Sequence, residues 1–202
     1  MPYIVNEIFK SLQGEGARSG TLNIFVRFSG CNLTCKASEE GFDCDTDFTS
    51  IYKKYSTAKE LVTECHDLWE GKDGAAVILT GGEPALQVDE ALVVEFKEQG
   101  FLVAIETNGT KPIPKGIDWV TCSPKTAEHT LLLGRRPDEL KYVRCLKQGI
   151  PKPKLKADYY YLSPAATSTG IQRSELDWCL KLIKEDPRWR LSVQMHKLWG
   201  QR

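Results

Sequence analysis

The sequence has no excess of charge of either sign. Its 27 lysines and arginines equal its 27 aspartates and glutamates, which gives a formal net charge of +0 at pH 7. Proteins that bind nucleic acid through its phosphates usually carry a basic field, because each neutralised phosphate releases a counterion. We therefore expect no nucleic-acid partner.

Long apolar runs and targeting patterns are also missing. No apolar run approaches the roughly 20 residues that a membrane-spanning helix needs. The first residues, MPYIVNEIFKSLQGEG, lack the charged stretch followed by an apolar run that marks a secretory signal. Seven cysteines without such a signal favour a reducing compartment, where clustered cysteines bind metal or react. The expected location is the cytoplasm, with no membrane association.

Apolar segments alternate with amphipathic ones along the 202 residues, of which 41% are hydrophobic. This length and composition predict one domain over residues 1–202 with a sizeable core. Strands that alternate with a few helices predict an α/β fold: an incomplete βα barrel with a mostly parallel sheet of about six strands. An open doubly wound sheet is the less favoured alternative.

The predicted elements follow from short apolar runs and from helical periodicity. The predicted strands are 22–28, 75–80, 101–107, 118–123, 139–145, 158–163 and 190–195, and the predicted helices are 56–71, 88–100 and 174–186. The carboxyl ends of parallel strands meet at one edge of a sheet or barrel, so we expect the functional site at that edge.

Three of the seven cysteines lie in one predicted loop, 30–50, which follows the strand 22–28. Cys31, Cys35 and Cys44 are separated by three and by eight residues. Thiolates are soft ligands that suit zinc or iron–sulfur clusters. A zinc site needs a fourth ligand, for which Cys65 or His66 are candidates, although this spacing is unusual for zinc. A cubane cluster held by three cysteines instead leaves one iron open to another molecule.

A second motif, TGGEP at 80–84, follows a predicted buried strand. Its two glycines allow the backbone to approach a small ligand closely, and Glu83 offers a carboxylate to an ammonium group. Together with the three-cysteine loop, this turn resembles the radical S-adenosylmethionine superfamily. The resemblance implies a 4Fe-4S cluster on Cys31, Cys35 and Cys44, whose open iron chelates S-adenosylmethionine. The second gap between cysteines, eight residues here, is six longer than is usual in that superfamily.

Further motifs occur in a fixed order and narrow the resemblance. They are SLQGEG (11–16), FVRFSGCNLTC (25–35), CDTDF (44–48), TGGEP (80–84), ETNG (106–109), SPK (123–125) and SVQMHK (192–197). This set resembles the 7-carboxy-7-deazaguanine synthase family from Glu7 to the end of the sequence, with gaps in the middle. The resemblance implies a lyase of queuosine and 7-deazapurine biosynthesis. Its reaction converts 6-carboxy-5,6,7,8-tetrahydropterin to 7-carboxy-7-deazaguanine with loss of ammonia.

The resemblance also implies which residues meet the substrate. Arg27, beside the cysteine loop, is expected to pair its guanidinium with the substrate carboxylate. Gln13 and Glu15, in a glycine-flanked turn, offer an amide and a carboxylate to the donor–acceptor edge of a pterin. The full substrate-binding set is Leu12, Gln13, Gly14, Glu15, Arg27, Thr80, His196 and Arg202, the last through its terminal carboxylate.

Metal and cofactor ligands are implied in the same way. Thr46 is the expected ligand of Mg²⁺, which keeps several waters and needs few protein ligands. Glu106 is expected to accept hydrogen bonds from ribose hydroxyls, and Gln194 and His196 are expected at the end of the last strand. The full set for S-adenosylmethionine is Asp45, Gly81, Gly82, Glu83, Glu106, Asn108, Ser123, Pro124, Lys125, Ser163 and Gln194.

No side chain is predicted to be catalytic, because the radical is carried by the cofactor. The expected partners are a flavodoxin or ferredoxin-type reductant and a second copy of the chain in a homodimer. Two rival functions stay open. A glycyl-radical-enzyme activating enzyme acts on a protein and needs neither a pterin-sized pocket nor the QGEG turn. A zinc-stabilised binding module needs only the cysteines.

Overall fold

The computed structural model describes residues 2–44, 46–125, 130–167 and 170–201. Its strands are β1 (Tyr3–Leu12), β2 (Leu22–Phe28), β3 (Lys53–Tyr55), β4 (Ala76–Gly81), β5 (Leu102–Thr107), β6 (Trp119–Cys122), β7 (Glu139–Arg144), β8 (Tyr159–Pro164), β9 (Ala166–Thr167), β10 (Gly170–Ile171) and β11 (Trp189–Leu191). Its α-helices are α1 (Ala37–Glu40), α2 (Ala58–Trp69), α3 (Glu90–Glu98), α4 (Arg173–Glu185) and α5 (Met195–Leu198).

The main sheet of the described residues has nine strands in the order β11-β8-β7-β6-β5-β4-β2-β1-β3. From β2 to β11 each pair of neighbours is parallel and the order follows the chain without reversal. A doubly wound sheet reverses its order at a switch point, so that alternative is excluded. Within the described residues no ladder joins β11 to β3, and the barrel is therefore incomplete, as predicted.

The strand count exceeds the prediction of about six. Seven strands are parallel, and β1 and β3 are added at one edge as antiparallel strands. The sequence analysis missed β1, although YIVNEIFKSL begins with Tyr, Ile and Val, residue types that are enriched in strands. Its pairing with β2 runs from Val5 opposite Phe28 to Leu12 opposite Leu22.

Helices α2, α3 and α4 pack their apolar faces against one face of the sheet and form the core with it. Capping fixes where two of them begin: the hydroxyl of Thr57 accepts a hydrogen bond from the backbone N–H of Glu60 (3.2 Å), and the carboxylate of Asp89 accepts one from that of Leu92 (2.9 Å). Leu61, Leu92 and Phe96 are completely buried, with 0% exposure. No helix of the described residues has the length and apolar character needed to cross a membrane.

The predicted elements agree with the structure except at the carboxyl terminus. All three predicted helices form. The predicted strand 22–28 has the bounds of β2, and five further predicted strands differ from the observed ones by one residue at one or both ends. The last predicted strand, 190–195, forms as β11 but is too long. β11 ends at Leu191, and its ladder with β8 ends near Ser192, whose N–H donates to the carbonyl of Leu162. The chain then turns, and Met195 donates its N–H to the carbonyl of Gly14 (3.1 Å). Gln194 therefore precedes α5 and His196 lies within it.

The end of β4 lies so close to its parallel neighbour β2 that only glycine fits. Gly81 has φ +125°, and a Cβ there would lie 2.2 Å from the backbone oxygen of Phe28. We expect Gly81→Ala to lower the free energy of unfolding by at least about 3 kcal/mol, since strained backbone and a backbone clash combine. Gly100→Ala, where φ is +78° but a Cβ meets nothing within 4 Å, is the control and should lose only about 1–2 kcal/mol. Denaturant unfolding of both variants measures this, and equal losses would contradict the role of the Phe28 contact.

Candidate active site

A cavity of about 560 Å³ opens at the carboxyl ends of the parallel strands. Alternate residues of neighbouring strands point into it, because side chains i and i+2 share one face of a strand. The predicted site residues that line it are Leu12, Gln13, Gly14, Glu15, Arg27, Cys31, Cys35, Cys44, Thr46, Thr80, Gly81, Gly82, Glu106, Asn108, Ser123, Lys125, Ser163, Gln194 and His196. Glu83 and Pro124 do not line it. Asp45 and Arg202 lie outside the described residues.

The three clustered cysteines line this cavity, and none of them forms a disulfide. Cys31 is half-buried, and its sulfur accepts a hydrogen bond from the N–H of Leu33 (3.4 Å). Burial raises the pKa of the Cys31 thiol. Cys35 is half-buried and Cys44 is exposed, so an incoming cluster can reach all three. This arrangement fits three thiolates that bind one iron–sulfur cluster.

A single zinc ion fits the described residues less well. Among them, no three Cys, His, Asp or Glu side chains are grouped tightly enough to hold one metal ion. Zinc needs all its sulfur ligands at about 2.3 Å from one centre, whereas the cysteines of a cubane bind separate irons and lie farther apart. Cys65 is buried in the core and His66 lies on the exposed side of α2, so neither lines the cavity as a fourth ligand.

The TGGEP turn packs directly on the beginning of the cysteine loop. Gly82 donates its N–H to the carbonyl of Phe28 (3.1 Å), and Glu83 donates its own to that of Gly30 (3.0 Å). A Cβ on Gly82 would lie 2.1 Å from the Gly30 oxygen and 2.9 Å from the Cβ of Cys31. The glycines therefore allow the backbone of this turn to lie next to the first cysteine.

The Glu83 side chain differs from its expected role. It is completely buried, and its carboxylate accepts hydrogen bonds from the hydroxyl of Thr107 (2.7 Å) and from the N–H groups of Asn108 (2.7 Å) and Ala85 (2.9 Å). Burial raises its pKa, and these three donors partly offset that effect. Glu83 thus ties the end of β4 to the end of β5, and the backbone of the turn faces the cavity in place of the carboxylate.

Asn108 connects the cysteine loop to the end of β5. Its side-chain N–H₂ donates to the amide oxygen of Asn32 (3.2 Å), and Asn32 donates in turn to the hydroxyl of Thr110 (2.8 Å). The amide oxygen of Asn108 accepts from the N–H of Thr110 (2.9 Å). The residue after Cys31 is therefore fixed by a neighbouring strand end, which limits how far the loop can move.

The eight residues between Cys35 and Cys44 contain the short helix α1. The thiol of Cys145, at the end of β7, donates to the carbonyl of Gly41 (2.9 Å), and the ammonium of Lys125 lies 5.4 Å from the ring centre of Phe42. Lys125 also donates to the hydroxyl of Ser123 (2.7 Å). The lengthened loop thus packs against the later strand ends. Cys145 is half-buried here, unlike the fully buried Cys65, Cys122 and Cys179.

The turn at 13–17 reaches across the open sheet. The amide of Gln13 donates to the carboxylate of Glu106 on β5 (2.7 Å), and Glu15 forms an ion pair with Lys141 on β7. Gly14 lies against α5, where a Cβ would be 2.3 Å from Nδ1 of His196. Two predicted substrate residues, from opposite ends of the chain, therefore lie side by side.

Two charged residues of β7 were missed by the sequence analysis. Glu139 and Lys141 are 3% and 7% exposed, and they alternate in the strand with the buried apolar residues Leu140 and Tyr142. The carboxylate of Glu139 accepts from the N–H of Ala17 (2.9 Å) and from the hydroxyl of Thr121 (2.8 Å), while its burial raises its pKa. A signal was present, because charges at alternate positions of a buried strand seldom occur without a partner.

Arg27 lines the cavity, and one nitrogen of its guanidinium, Nε, is hydrogen-bonded within the chain. Its Nε donates to the carboxylate of Glu7 (2.7 Å), which is the residue opposite it on β1, and its Cζ lies 6.0 Å from the ring centre of Phe9. Among the residues that the structure describes, its two terminal nitrogens make no hydrogen bond. They are therefore available to an anionic group in the cavity.

The residues from Asp47 to Ser50 fold as a tight turn. The carboxylate of Asp47 accepts hydrogen bonds from the N–H and hydroxyl of Thr49 (both 2.9 Å) and from the N–H of Ser50 (3.2 Å). Hydrogen bonds from the side chain of Ser50, from Thr49 and from the N–H of Ser50 hold the pKa of Asp47 well below its usual range. Thr46 lines the cavity, and its carbonyl accepts from the thiol of Cys44 (3.6 Å). The turn thus keeps Thr46 next to a predicted cluster ligand.

Comparison with known sequences agrees with this geometry. The profile of a 4Fe-4S single cluster domain matches residues 12–111, a range that includes all three cysteines of the loop. A partial parallel barrel with three thiols and a glycine turn at its open end defines a radical S-adenosylmethionine enzyme.

Curated relatives identify the family. The 7-carboxy-7-deazaguanine synthase of Bradyrhizobium diazoefficiens is 39% identical and is aligned over 99% of both chains. That of Bacteroides thetaiotaomicron is 40% identical over 96% of both. The chain belongs to the 7-carboxy-7-deazaguanine synthase family. The crystal structure of QueE from Escherichia coli, 24% identical with a TM-score of 0.68 over 96% of this chain and 94% of that one, has the same fold.

The cysteine loop generates a direct prediction. We expect Cys31→Ala, Cys35→Ala and Cys44→Ala each to lose the bound cluster, because a cubane with two cysteine ligands is poorly held. Cys179→Ala, at a completely buried core thiol on α4, is the matched control and should keep it. Iron content and the visible spectrum after anaerobic reconstitution measure the outcome. A full cluster in all three loop variants would contradict the assignment.

Proposed function

We infer that this chain is a carbon–nitrogen lyase that converts 6-carboxy-5,6,7,8-tetrahydropterin to 7-carboxy-7-deazaguanine, a step of queuosine and 7-deazapurine biosynthesis. The observation that supports it most strongly is that one cavity is lined by the three loop cysteines, the 13–17 turn and Arg27. The first feature suits a cluster and the other two suit an anionic pterin. Membership of the synthase family supports the same reaction.

The residues of the cavity fit the two cofactors of this reaction. When bound, the 4Fe-4S cluster and S-adenosylmethionine supply an organic radical that abstracts hydrogen from the substrate. In our proposal Cys31, Cys35 and Cys44 hold the cluster, and the backbone of Gly81 and Gly82 receives the amino group of the cofactor. The other cavity-lining residues that we propose to contact S-adenosylmethionine are Glu106, Asn108, Ser123, Lys125, Ser163 and Gln194.

The substrate would be oriented by charge and by hydrogen bonds. The terminal nitrogens of Arg27 suit a bidentate pair with the pterin carboxylate, since Glu7 already fixes the plane of the guanidinium. Gln13 and Glu15 would meet the donor–acceptor edge of the ring, and His196 lies beside them. Leu12, Gly14 and Thr80 also line the cavity and are proposed to contact the substrate. The terminal carboxylate of Arg202 is proposed to bind it as well.

We propose Mg²⁺ as a third bound group, held by Thr46. This residue lines the cavity beside Cys44 and lies in a turn that Asp47 fixes. One hydroxyl ligand is enough for Mg²⁺ when water and an anionic substrate complete its coordination. Asp45 is proposed to assist S-adenosylmethionine from the same segment.

Partners and location are proposed from the surface and from the cysteines. The exposed basic loop at 147–156 offers a surface to an acidic flavodoxin or ferredoxin-type reductant. Strand β3 is the outer strand of the described sheet, and Ile51 and Tyr52 beside it are 54% and 62% exposed, which suits a homodimer contact. Clustered free thiols favour the reducing cytoplasm.

The decisive experiment is anaerobic reconstitution with iron and sulfide, followed by turnover. We expect about four irons per chain, a brown protein, and 7-carboxy-7-deazaguanine from the tetrahydropterin, S-adenosylmethionine and a reductant. A brown protein that cleaves S-adenosylmethionine but leaves the pterin unchanged would instead favour the rival that activates a glycyl-radical enzyme. A colourless protein with one zinc would favour the binding module.

The proposed role of Arg27 can be tested separately. We expect Arg27→Ala to raise the KM for the pterin roughly 30-fold or more, because a charge-assisted bidentate pair is lost. Cleavage of S-adenosylmethionine without the pterin should continue at the wild-type rate.

The matched control for this test is Arg188→Ala, which removes an arginine whose side chain is 69% exposed and paired with Asp186. It should leave the KM unchanged. Steady-state kinetics and direct pterin binding give the answer. A pterin affinity of Arg27→Ala equal to that of the wild type would remove Arg27 from the substrate site.

A further inference from the structure

Lys141 is an ammonium group at the inner face of the sheet. It lies in the middle of β7, its side chain is 9% exposed, and it is among the residues that line the cavity. Burial by itself would lower the pKa of Lys141, but the charges of Glu15, Glu106 and Glu139 outweigh burial and raise it. The group is therefore a fixed positive charge at any pH at which the enzyme works.

The ion partner of Lys141 is Glu15, whose side chain is 13% exposed. Glu15 is the carboxylate that the 13–17 turn contributes to the cavity. Its N–H donates to the amide oxygen of Gln13 (3.0 Å), so the two polar side chains of the turn are linked. A carboxylate this deeply buried needs a counter-charge to stay ionised, and only an ionised carboxylate is purely an acceptor.

We propose that Lys141 is a positioning residue: it keeps Glu15 ionised and aimed into the cavity, so that the carboxylate accepts hydrogen bonds from the N–H groups of the aminopyrimidine edge of the pterin. This inference rests on the proposed function and extends it to a residue outside the recognised motifs. Lys141 itself touches Glu15 rather than the reacting atoms.

The other charged groups around this pair come from several elements. Glu106 reaches it from β5 and Glu139 from β7, while the imidazole of His196 approaches from α5 beside Gly14. Arg18, which feels the charges of Glu139 and Glu106, approaches from the segment after the turn. Without Lys141 the three carboxylates would face Arg18 and the imidazole of His196 alone, so the charge of Glu15 becomes unfavourable.

The first test replaces the ammonium with a neutral side chain of similar length. We expect Lys141→Met to raise the KM for the pterin at least tenfold at pH 7, with smaller changes in kcat and in the KM for S-adenosylmethionine, and to leave iron content unchanged. The loss should shrink as pH rises, because a buried carboxylate without its counter-charge has a raised pKa and ionises only above it. Lys141→Arg should restore most of the affinity.

The matched control is Lys97→Met, which removes a lysine paired with Asp118 at the surface, outside the cavity. It should change neither the KM nor the pH profile. A Lys141→Met enzyme with wild-type pterin KM, or with a higher KM that does not depend on pH, would overturn the proposal, because the lysine would then be dispensable or merely structural.

A double variant shows whether Lys141 acts through Glu15. Glu15→Gln together with Lys141→Met leaves neither charge of the pair buried, and such neutral replacements are often tolerated where single removal is not. We expect its pterin KM to be within about threefold of that of Glu15→Gln alone, since the interaction is already lost. A further tenfold increase would mean that Lys141 acts independently, and the proposal would fall.

The ionisation state of Glu15 can be measured directly, without enzyme turnover. Carbon-13 NMR of glutamate carboxyls, with the Glu15 signal assigned by its loss in Glu15→Gln, should show an ionised group at pH 7 in the wild type and a protonated one in Lys141→Met. An inactive wild-type enzyme with this difference would refute the proposed function but not the pairing. An ionised Glu15 in Lys141→Met would refute the pairing whatever the activity.

Discussion

The turn after β1 holds the open sheet in its curved shape and forms part of the active site at the same time. Its contacts reach strands far along the chain: Gln13 to Glu106, Glu15 to Lys141, and the N–H of Gly16 to the hydroxyl of Ser192 (3.1 Å). No ladder closes the described sheet, so these polar contacts connect its two halves. The cost of burying them is limited because each donor or acceptor has a partner.

The cysteine loop depends on a second set of contacts at the neighbouring strand ends. Glycines at 81 and 82 let the end of β4 touch the backbone of Phe28 and Gly30, and Glu83 ties that end to β5. The loop is therefore held against two strand ends by contacts within the chain itself. Such preorganisation suits radical chemistry, in which the cofactor does the difficult step and the protein supplies position and shelter.

Substrate and cofactor residues are coupled through shared partners. Glu106, a proposed cofactor ligand, accepts from Gln13 of the substrate turn, and Lys141 feels the charges of both Glu15 and Glu106. A change in charge at Glu15 or Lys141 would thus alter the electrostatic potential at Glu106 as well. The lengthened cysteine loop joins the same assembly, because Gly41 and Phe42 contact residues after β6 and β7.

The sequence by itself determined the parallel strands from β2 to β8, the three long helices and the cysteines that share the cavity. Those features follow from local periodicity and short motifs. Only the tertiary structure decided that Glu83 is buried and joins the ends of β4 and β5 by hydrogen bonds. It also decided that Glu15 pairs with Lys141 and that the chain turns into α5 after β11. The Glu15–Lys141 pair is 126 residues apart in sequence. Neither residue type nor spacing encodes such a contact, because it arises only when the sheet curves and brings its distant strands together.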